Sequence, residues 1–251
     1  MMLVETTEIF PIVTMKHRQT LSLQNLLSSG RPLVVGTLHD AIGMKFLKSA
    51  TPARLRGLDV LEARLDSIGG RSVKFPASWP LPVIATARHP AEGGAGNLSA
   101  AIRRGLLEEA MPWASALDIE LRSARALSSV IACAHQHGRT VILSHHDFSA
   151  TPTTAVLKKL AARAGDEGAD LFKVATLLRT PSDLLRLVEF QSTAARIPVA
   201  AMGMGSAGRF SRIVLCGFGA PLCYGWLGSP QVPGQWPALS LAGLLKEILP
   251  A

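Results

Sequence analysis

The stretch Ala169-Asp170-Leu171-Phe172-Lys173-Val174-Ala175 decides how this chain is read. Leu, Phe and Val around the lysine mark a short buried strand, where a charged ammonium is costly unless it is paired or gives up its proton. A lysine that gives up its proton is a nucleophilic amine, the kind that forms Schiff bases with ketones. The plainer alternative is that Lys173 snorkels from a strand end and pairs with Asp170 or Glu167. Upstream, a second strand-like run, Thr140-Val141-Ile142-Leu143-Ser144, ends in His145-His146-Asp147. An amine on one strand and an imidazole at the end of the preceding one suit carbonyl chemistry.

Outward from these two runs the same alternation of short apolar strands and longer helical patterns continues in both directions. The strand candidates are Leu33–Leu38, Asp59–Asp66, Pro82–Arg88, Leu117–Arg122, Thr140–His146, Leu171–Thr176, Ile197–Met202 and Pro221–Leu227. Helical patterns include Leu98–Ala110, Ala124–His137, Pro152–Ala164 and Pro181–Ser192. Pro152 and Pro181 each follow a threonine, the arrangement of an N-cap and a first helical position. Eight strands, each followed by helix or loop, predict an α/β fold, a single-domain (β/α)8 TIM barrel over residues 31–251. A doubly wound open sheet is the alternative, because periodicity does not say whether a sheet closes. No GxGxxG follows the first strand, which weighs against dinucleotide binding. Residues 1–30 form an N-terminal extension to which the pattern assigns no structure.

Bulk composition narrows the function classes. The net charge of +8 is scattered, with no run of five basic residues and no helix-turn-helix, zinc-finger or RNA-binding signature. It is read as attraction for an anionic small molecule, with no nucleic-acid partner. Cys133, Cys216 and Cys223 are odd in number and lack metal-ligand spacing, which points to reduced thiols and a cytoplasmic setting. Glu5 and Glu8 precede any basic residue, unlike a signal peptide. Ile213 to Leu227 is apolar, but Gly217, Gly219, Pro221 and Gly225 interrupt it. A buried helix followed by a buried strand is expected there, and no membrane span.

Polar residues gather where a barrel places its site, at the C-terminal strand ends. Glu62, Arg64 and Asp66 lie two apart and so share one face of their strand, either as a network at the barrel mouth or as a solvent-facing ladder. Arg88 leads into His89-Pro90-Ala91-Glu92-Gly93-Gly94. Asp118, Glu120 and Arg122 repeat the spacing of two, on a face the pattern does not assign. His145 and His146 point to opposite faces, so at most one of them enters the site, and no third ligand suits a metal. Gly203 to Arg212 is a glycine-rich loop leading to a helix, where Arg212 is placed to hold a carboxylate or phosphate.

Taken together, these segments resemble type I 3-dehydroquinate dehydratase, the Schiff-base-forming lyase of the shikimate pathway of aromatic amino acid biosynthesis. The matching pieces are Glu62-Ala63-Arg64-Leu65-Asp66, Arg88 with Glu92-Gly93-Gly94, Ser144-His145-His146-Asp147-Phe148, Ala169-Asp170-Leu171-Phe172-Lys173, Met204-Gly205 through Ser211-Arg212, and Pro233-Gly234-Gln235. They fall in the family's order across about residues 31 to 250. The resemblance implies a (β/α)8 barrel in which Lys173 condenses with the C3 ketone of 3-dehydroquinate. It implies His146 as general acid/base, Glu92 as the carboxylate that orients it, and Arg212 as the clamp for the substrate carboxylate. Glu62, Arg64, Arg88, Gln231 and Gln235 are implied to bind substrate. No metal or organic cofactor is implied, and the enzyme is expected to be a cytoplasmic homodimer. Lys173 must be neutral to attack, so a lowered pKa is expected from burial and from Arg64, Arg88 or Arg212.

Two places depart from the family. Gln231 stands where a small hydroxyl residue is usual in a lid-like loop, and Leu38-His39-Asp40 is an unfamiliar end to the first strand. These departures leave two further readings: another Schiff-base barrel such as an aldolase, or a non-catalytic relative that binds a metabolite of the pathway.

Overall fold

The computed structural model describes residues 22–69, 73–76, 78–193 and 195–249. Strands form where branched and small apolar residues alternate with a period of two, and each strand sorts its side chains to two faces. They are β1 (Leu33–Leu38), β2 (Val60–Arg64), β3 (Val83–Thr86), β4 (Ala116–Glu120), β5 (Thr140–Asp147), β6 (Leu171–Leu177), β7 (Val199–Met204), β8 (Leu222–Trp226) and the short β9 (Trp236–Pro237). One face of the strands supplies an inner core that includes Leu33, Val35, Val60, Ile84, Ile142 and Leu171. The other face supplies a larger layer, including Val34, Leu61, Leu117, Val141 and Phe172, packed beneath the helices.

All pairings are parallel, in the order β7-β6-β5-β4-β3-β2-β1-β8-β9. Because β8 joins the free edge of β1, with Leu33 opposite Leu222, the sheet curls in barrel order. Strand β7, at one end, lies beside β8, which the short β9 flanks at the other, with no hydrogen-bonded ladder between β7 and β8 among the described residues. The architecture is a curled parallel α/β sheet, coarser than the closed barrel expected from the sequence.

Helix α1 (Leu23–Leu27) precedes β1, and the outer layer is covered by α2 (Ala41–Lys48), α3 (Ala100–Ala110), α4 (Ser128–Gln136), α5 (Thr154–Asp166), α6 (Pro181–Ser192), α7 (Gly208–Gly217) and α8 (Ala238–Ile248). Pro181 does open α6, and Asp183 accepts from the Thr180 N–H at 2.7 Å. The parallel expectation for Pro152 is corrected. Helix α5 begins two residues later, capped by Thr153, while the Thr151 hydroxyl turns to Thr176 Oγ1 at 2.8 Å and Leu177 O at 3.0 Å. The helix expected from Ala124 starts at Ser128, after a one-turn helix at Leu121–Ser123. The strand expected over Leu117–Arg122 therefore ends at Glu120, and that expected over Asp59–Asp66 is trimmed at both ends. Strand β7 runs two residues further than expected and starts after Pro198, which offers a carbonyl to Phe172 but has no N–H to give. The apolar segment after Arg212 completes α7 and then forms β8, and no described helix is long and apolar enough to cross a membrane.

Of the extension, residues 1–21 lie outside the described residues. Helix α1 follows, capped by Ser22, whose hydroxyl accepts from the Asn25 N–H at 3.2 Å. Leu23 is completely buried in the inner core, and Leu27 lies beside Pro198, Val199 and Pro221 at the N-terminal strand ends. This helix shields the end of the core remote from the polar residues. Leu23→Ala should therefore lower unfolding free energy by about 2–4 kcal/mol, as for other buried leucines. A urea melt showing no loss would contradict that role for α1.

Candidate active site

The strand alternation sends Thr37, Glu62, Thr86, Asp118, Glu120, Ser144 and Lys173 inward, all buried. They form a hydrogen-bonded network above the apolar floor, which answers the choice left open between a barrel-mouth network and a solvent ladder. Lys173 Nζ lies 2.8 Å from Asp118 Oδ2 and 3.3 Å from Glu62 Oε1. Arg88 donates to the same Asp118 Oδ2 at 2.9 Å, to Glu120 Oε1 at 3.1 Å and to Ser144 Oγ at 2.6 Å. Glu62 also accepts from Thr37 at 2.9 Å and Thr86 at 3.0 Å. Glu120 accepts from Arg103 of α3 at 2.8 Å, which ties the network to the helical layer.

Burial opposes the charge on Asp118, but Arg88 and Lys173 outweigh it and hold the carboxyl well below the usual range. Burial likewise opposes Glu62, and Lys173 with Arg88 brings it below its ordinary value despite Asp118. The plain pairing of Lys173 with Asp170 or Glu167 does not occur. Asp170 accepts from the Val141 N–H, and Glu167 pairs with Arg125 and Arg163. Of the arginines expected to act on Lys173, Arg88 shares Asp118 Oδ2 with it, and the groups hydrogen-bonded to Nζ are the carboxylates of Asp118 and Glu62. Arg64 is held bidentately by Asp66 at 3.0 and 2.8 Å, and Asp66 itself sits past the end of β2.

His146 is the inward histidine of the pair. Its Nδ1 lies 3.0 Å from Glu92 Oε2, and its backbone N–H donates to the same oxygen at 2.9 Å. Glu92 is carried by a one-turn helix, Pro90–Glu92, that leaves the end of β3. Gly94 follows because a Cβ there would collide with the Arg88 carbonyl. Burial, reinforced by Glu120 and opposed by Arg88, pushes the Glu92 carboxyl up to about 7. Burial, then Arg88 and Lys173, pushes His146 well below its usual value. The upward shift of Glu92 and the downward shift of His146 both favour a neutral acid–imidazole pair over an ion pair. With Glu92 ionised, its carboxylate is an acceptor for Nδ1–H, the tautomer that leaves the Nε2 lone pair free.

All nine residues named from the sequence line one cavity of about 270 Å³: Glu62, Arg64, Arg88, Glu92, His146, Lys173, Arg212, Gln231 and Gln235. Arg212 enters from the second turn of α7 and donates to the carbonyls of Gly203, Gly208 and Gly234 at 2.9, 2.8 and 2.6 Å. Burial lowers its pKa to about 10, and no carboxylate pairs with it among the described residues. Gln235 accepts from the Gln231 N–H at 2.7 Å, which folds the 231–235 loop onto itself. Sequence reasoning left Asp118 unassigned and passed over Tyr224. The spacing of two that grouped Glu62 with Arg64 applies equally to Asp118 and Glu120, and would have turned them inward. Phe148, Met202 and Met204 complete the wall.

A buried lysine at the mouth of a curled parallel sheet, next to an imidazole–carboxylate pair, defines a class of proteins equipped for carbonyl chemistry at an amine. The comparisons place the chain within that class. The family model for type I 3-dehydroquinase matches residues 44–249. A 3-dehydroquinate dehydratase of Methanococcoides burtonii is 32% identical over 214 residues, covering 82% of this chain and 89% of the relative. Among solved structures, 3-dehydroquinate dehydratase from Geobacillus kaustophilus superposes with a TM-score of 0.74 at 23% identity, over 88% of this chain and 93% of its own. The type I 3-dehydroquinate dehydratase of Clostridium difficile, solved with covalently modified comenic acid, gives 0.72 at 26% identity, over 87% and 93%. The chain belongs to the type I 3-dehydroquinase family.

Removing one partner from a buried ion network costs roughly 3–5 kcal/mol, because the opposing charge is left uncompensated. Asp118→Asn should lose stability on that scale in urea unfolding, and the loss should shrink when Lys173 is also changed to Met. Strict additivity of the two changes would contradict the shared network.

Proposed function

We propose that this chain is a hydro-lyase that converts 3-dehydroquinate to 3-dehydroshikimate and water through a Schiff base on Lys173. The observation that carries the reading is the convergence of the lysine, the His146–Glu92 pair and Arg212 on one cavity. Family membership supports the choice of substrate, and the absence of a carboxylate partner for Arg212 among the described residues supports an anionic one. The catalytic unit is taken to be a single domain from residue 31 onward. Its sheet is taken to be a closed (β/α)8 barrel, a reading favoured by the approach of β7 to β8. A cytoplasmic homodimer completes the proposal.

In this scheme Arg212 binds the substrate carboxylate, and Arg64, Arg88, Glu62, Gln231 and Gln235 hold the remaining polar groups. Lys173 gives up a proton to its carboxylate partners and attacks the C3 ketone. The resulting protonated imine is an electron sink that acidifies the adjacent C2–H. His146 Nε2 takes that proton, with Nδ1–H directed to Glu92. The enamine then expels the C1 hydroxyl, to which His146 returns the proton, so the base is regenerated as water leaves. Hydrolysis of the product imine frees Lys173. The network's part is to keep a charged amine inside an apolar barrel at tolerable cost.

Turnover is followed by the ultraviolet absorbance of the conjugated enone product. Lys173→Ala should lose a factor of about 10⁴ or more in kcat, as for removal of a covalent nucleophile. His146→Ala should lose about 10²–10⁴, the usual share of a general acid–base group. Turnover by Lys173→Ala at the level of the unaltered chain would refute the proposal. The pH profile has a defined sign. Protonated Glu92 donates to Nδ1 and leaves the proton on Nε2, so activity should rise with pH through about 7. Glu92→Gln presents an oxygen to Nδ1–H at every pH, so it should lack this limb. An unchanged limb in that variant would assign the titration elsewhere.

A further inference from the structure

The chain contains one tyrosine, Tyr224 of β8, and it forms part of the cavity wall. Lys173 Nζ stands over its ring, 3.9 Å from the centroid, a cation–π contact in a buried setting. The residue is only 4% exposed, and its Oη is buried without a hydrogen-bond partner among the described residues. Burial, then Glu62 and Asp118, raises its pKa well above the usual value, so the group remains an O–H donor.

Several other donors near Lys173 already have protein acceptors. Arg88 is taken up by Asp118, Glu120 and Ser144, Arg64 by Asp66 and the Gly93 carbonyl, and Thr37 by Glu62. His146 is assigned to the C2 proton and the C1 hydroxyl. The scheme assigns no donor to the ketone oxygen, where charge develops as the amine adds, and Tyr224 Oη is a buried donor on the same cavity wall with no partner of its own among the described residues. A buried donor aimed at developing oxyanion charge is an effective form of catalysis.

We propose that Tyr224 Oη donates a hydrogen bond to the substrate's ketone oxygen while Lys173 adds to the carbonyl carbon, and holds that oxygen until it departs as water. The proposal rests on the Schiff-base reading and extends it to a further catalytic residue. The step balances as an ammonium and a ketone giving a protonated imine and one water. The N–C bond forms as the C=O π bond breaks, and the remaining C–O bond then breaks as C=N forms. Both hydrogens of the water come from the ammonium, relayed through Asp118 and Glu62. Tyr224 lends a hydrogen bond at each stage and keeps its proton, since a phenolate beside two carboxylates is disfavoured. The same contact serves imine hydrolysis, which is this step in reverse, and takes no part in proton abstraction from C2.

Tyr224→Phe removes the hydroxyl and retains the ring beneath Nζ. The full chain and this variant are mixed with 3-dehydroquinate and quenched with borohydride at successive times, and the trapped adduct is quantified by mass. Conversion of the substrate imine to the product imine, seen as loss of one water from the adduct's mass before any hydrolysis, is followed in the same runs. Adduct formation should slow by about 10²-fold in the variant, the effect of losing one oxyanion donor. Conversion of the substrate imine to the product imine and the thermal melt should match the unaltered chain. Adduct formation at the unaltered rate would overturn the proposal, as would equal slowing of both steps, which marks a merely structural role. No adduct on the unaltered chain would instead remove the Schiff-base reading, and this proposal with it.

Discussion

The structure depends on one shared oxygen. Asp118 Oδ2 accepts from Lys173 at 2.8 Å and from Arg88 at 2.9 Å, joining the strand that carries the amine to the strands that shape the cavity. Around it Lys173, Arg88 and Arg103 face Glu62, Asp118 and Glu120, three positive groups against three negative ones. A single ammonium in an apolar core is prohibitive, whereas a charge-balanced, hydrogen-bonded cluster is tolerable. That balance explains why the inner face turns from Leu, Val and Ile at one end to charged groups at the other.

Much of this was legible in the sequence, and the reasons for the remainder are physical. A lysine between Leu, Phe and Val announces its own burial, and a period of two assigned Glu62 and Arg64 to one face. The partner of Lys173 was not legible in the same way. Asp118 lies 55 residues away on β4, and only the curl of the sheet brings the two together. Local signals failed where they were duplicated. Thr151-Pro152-Thr153-Thr154 offers several threonines as caps, and Thr151 was drawn instead to Thr176 and Leu177 by tertiary contacts. Closure of the sheet has no local signal at all, and the structure shows barrel order without a ladder between β7 and β8.

Family likeness and individual character meet at the rim. Arg212 binds the Gly234 carbonyl as well as Gly203 and Gly208, so the proposed carboxylate clamp also anchors the 231–235 loop. Arg209 reinforces the link, donating to the Gln235 carbonyl at 3.3 Å and lying over the Trp236 ring. Ser229 ties the loop's start to Asp40, the N-cap of α2 and part of the unfamiliar Leu38-His39-Asp40 strand end. The two departures noted in the sequence therefore meet in one structure, a loop braced at both ends. Gln231 sits between those braces on the cavity wall.

The central claim is that Lys173 becomes covalently bonded to a ketone substrate inside this charge-balanced pocket. Borohydride reduction in the presence of 3-dehydroquinate, followed by peptide mass mapping, tests it most directly. The account predicts a reduced adduct on Lys173 and on no other lysine. An intact, folded chain that turns over substrate while Lys173 stays unmodified would contradict it.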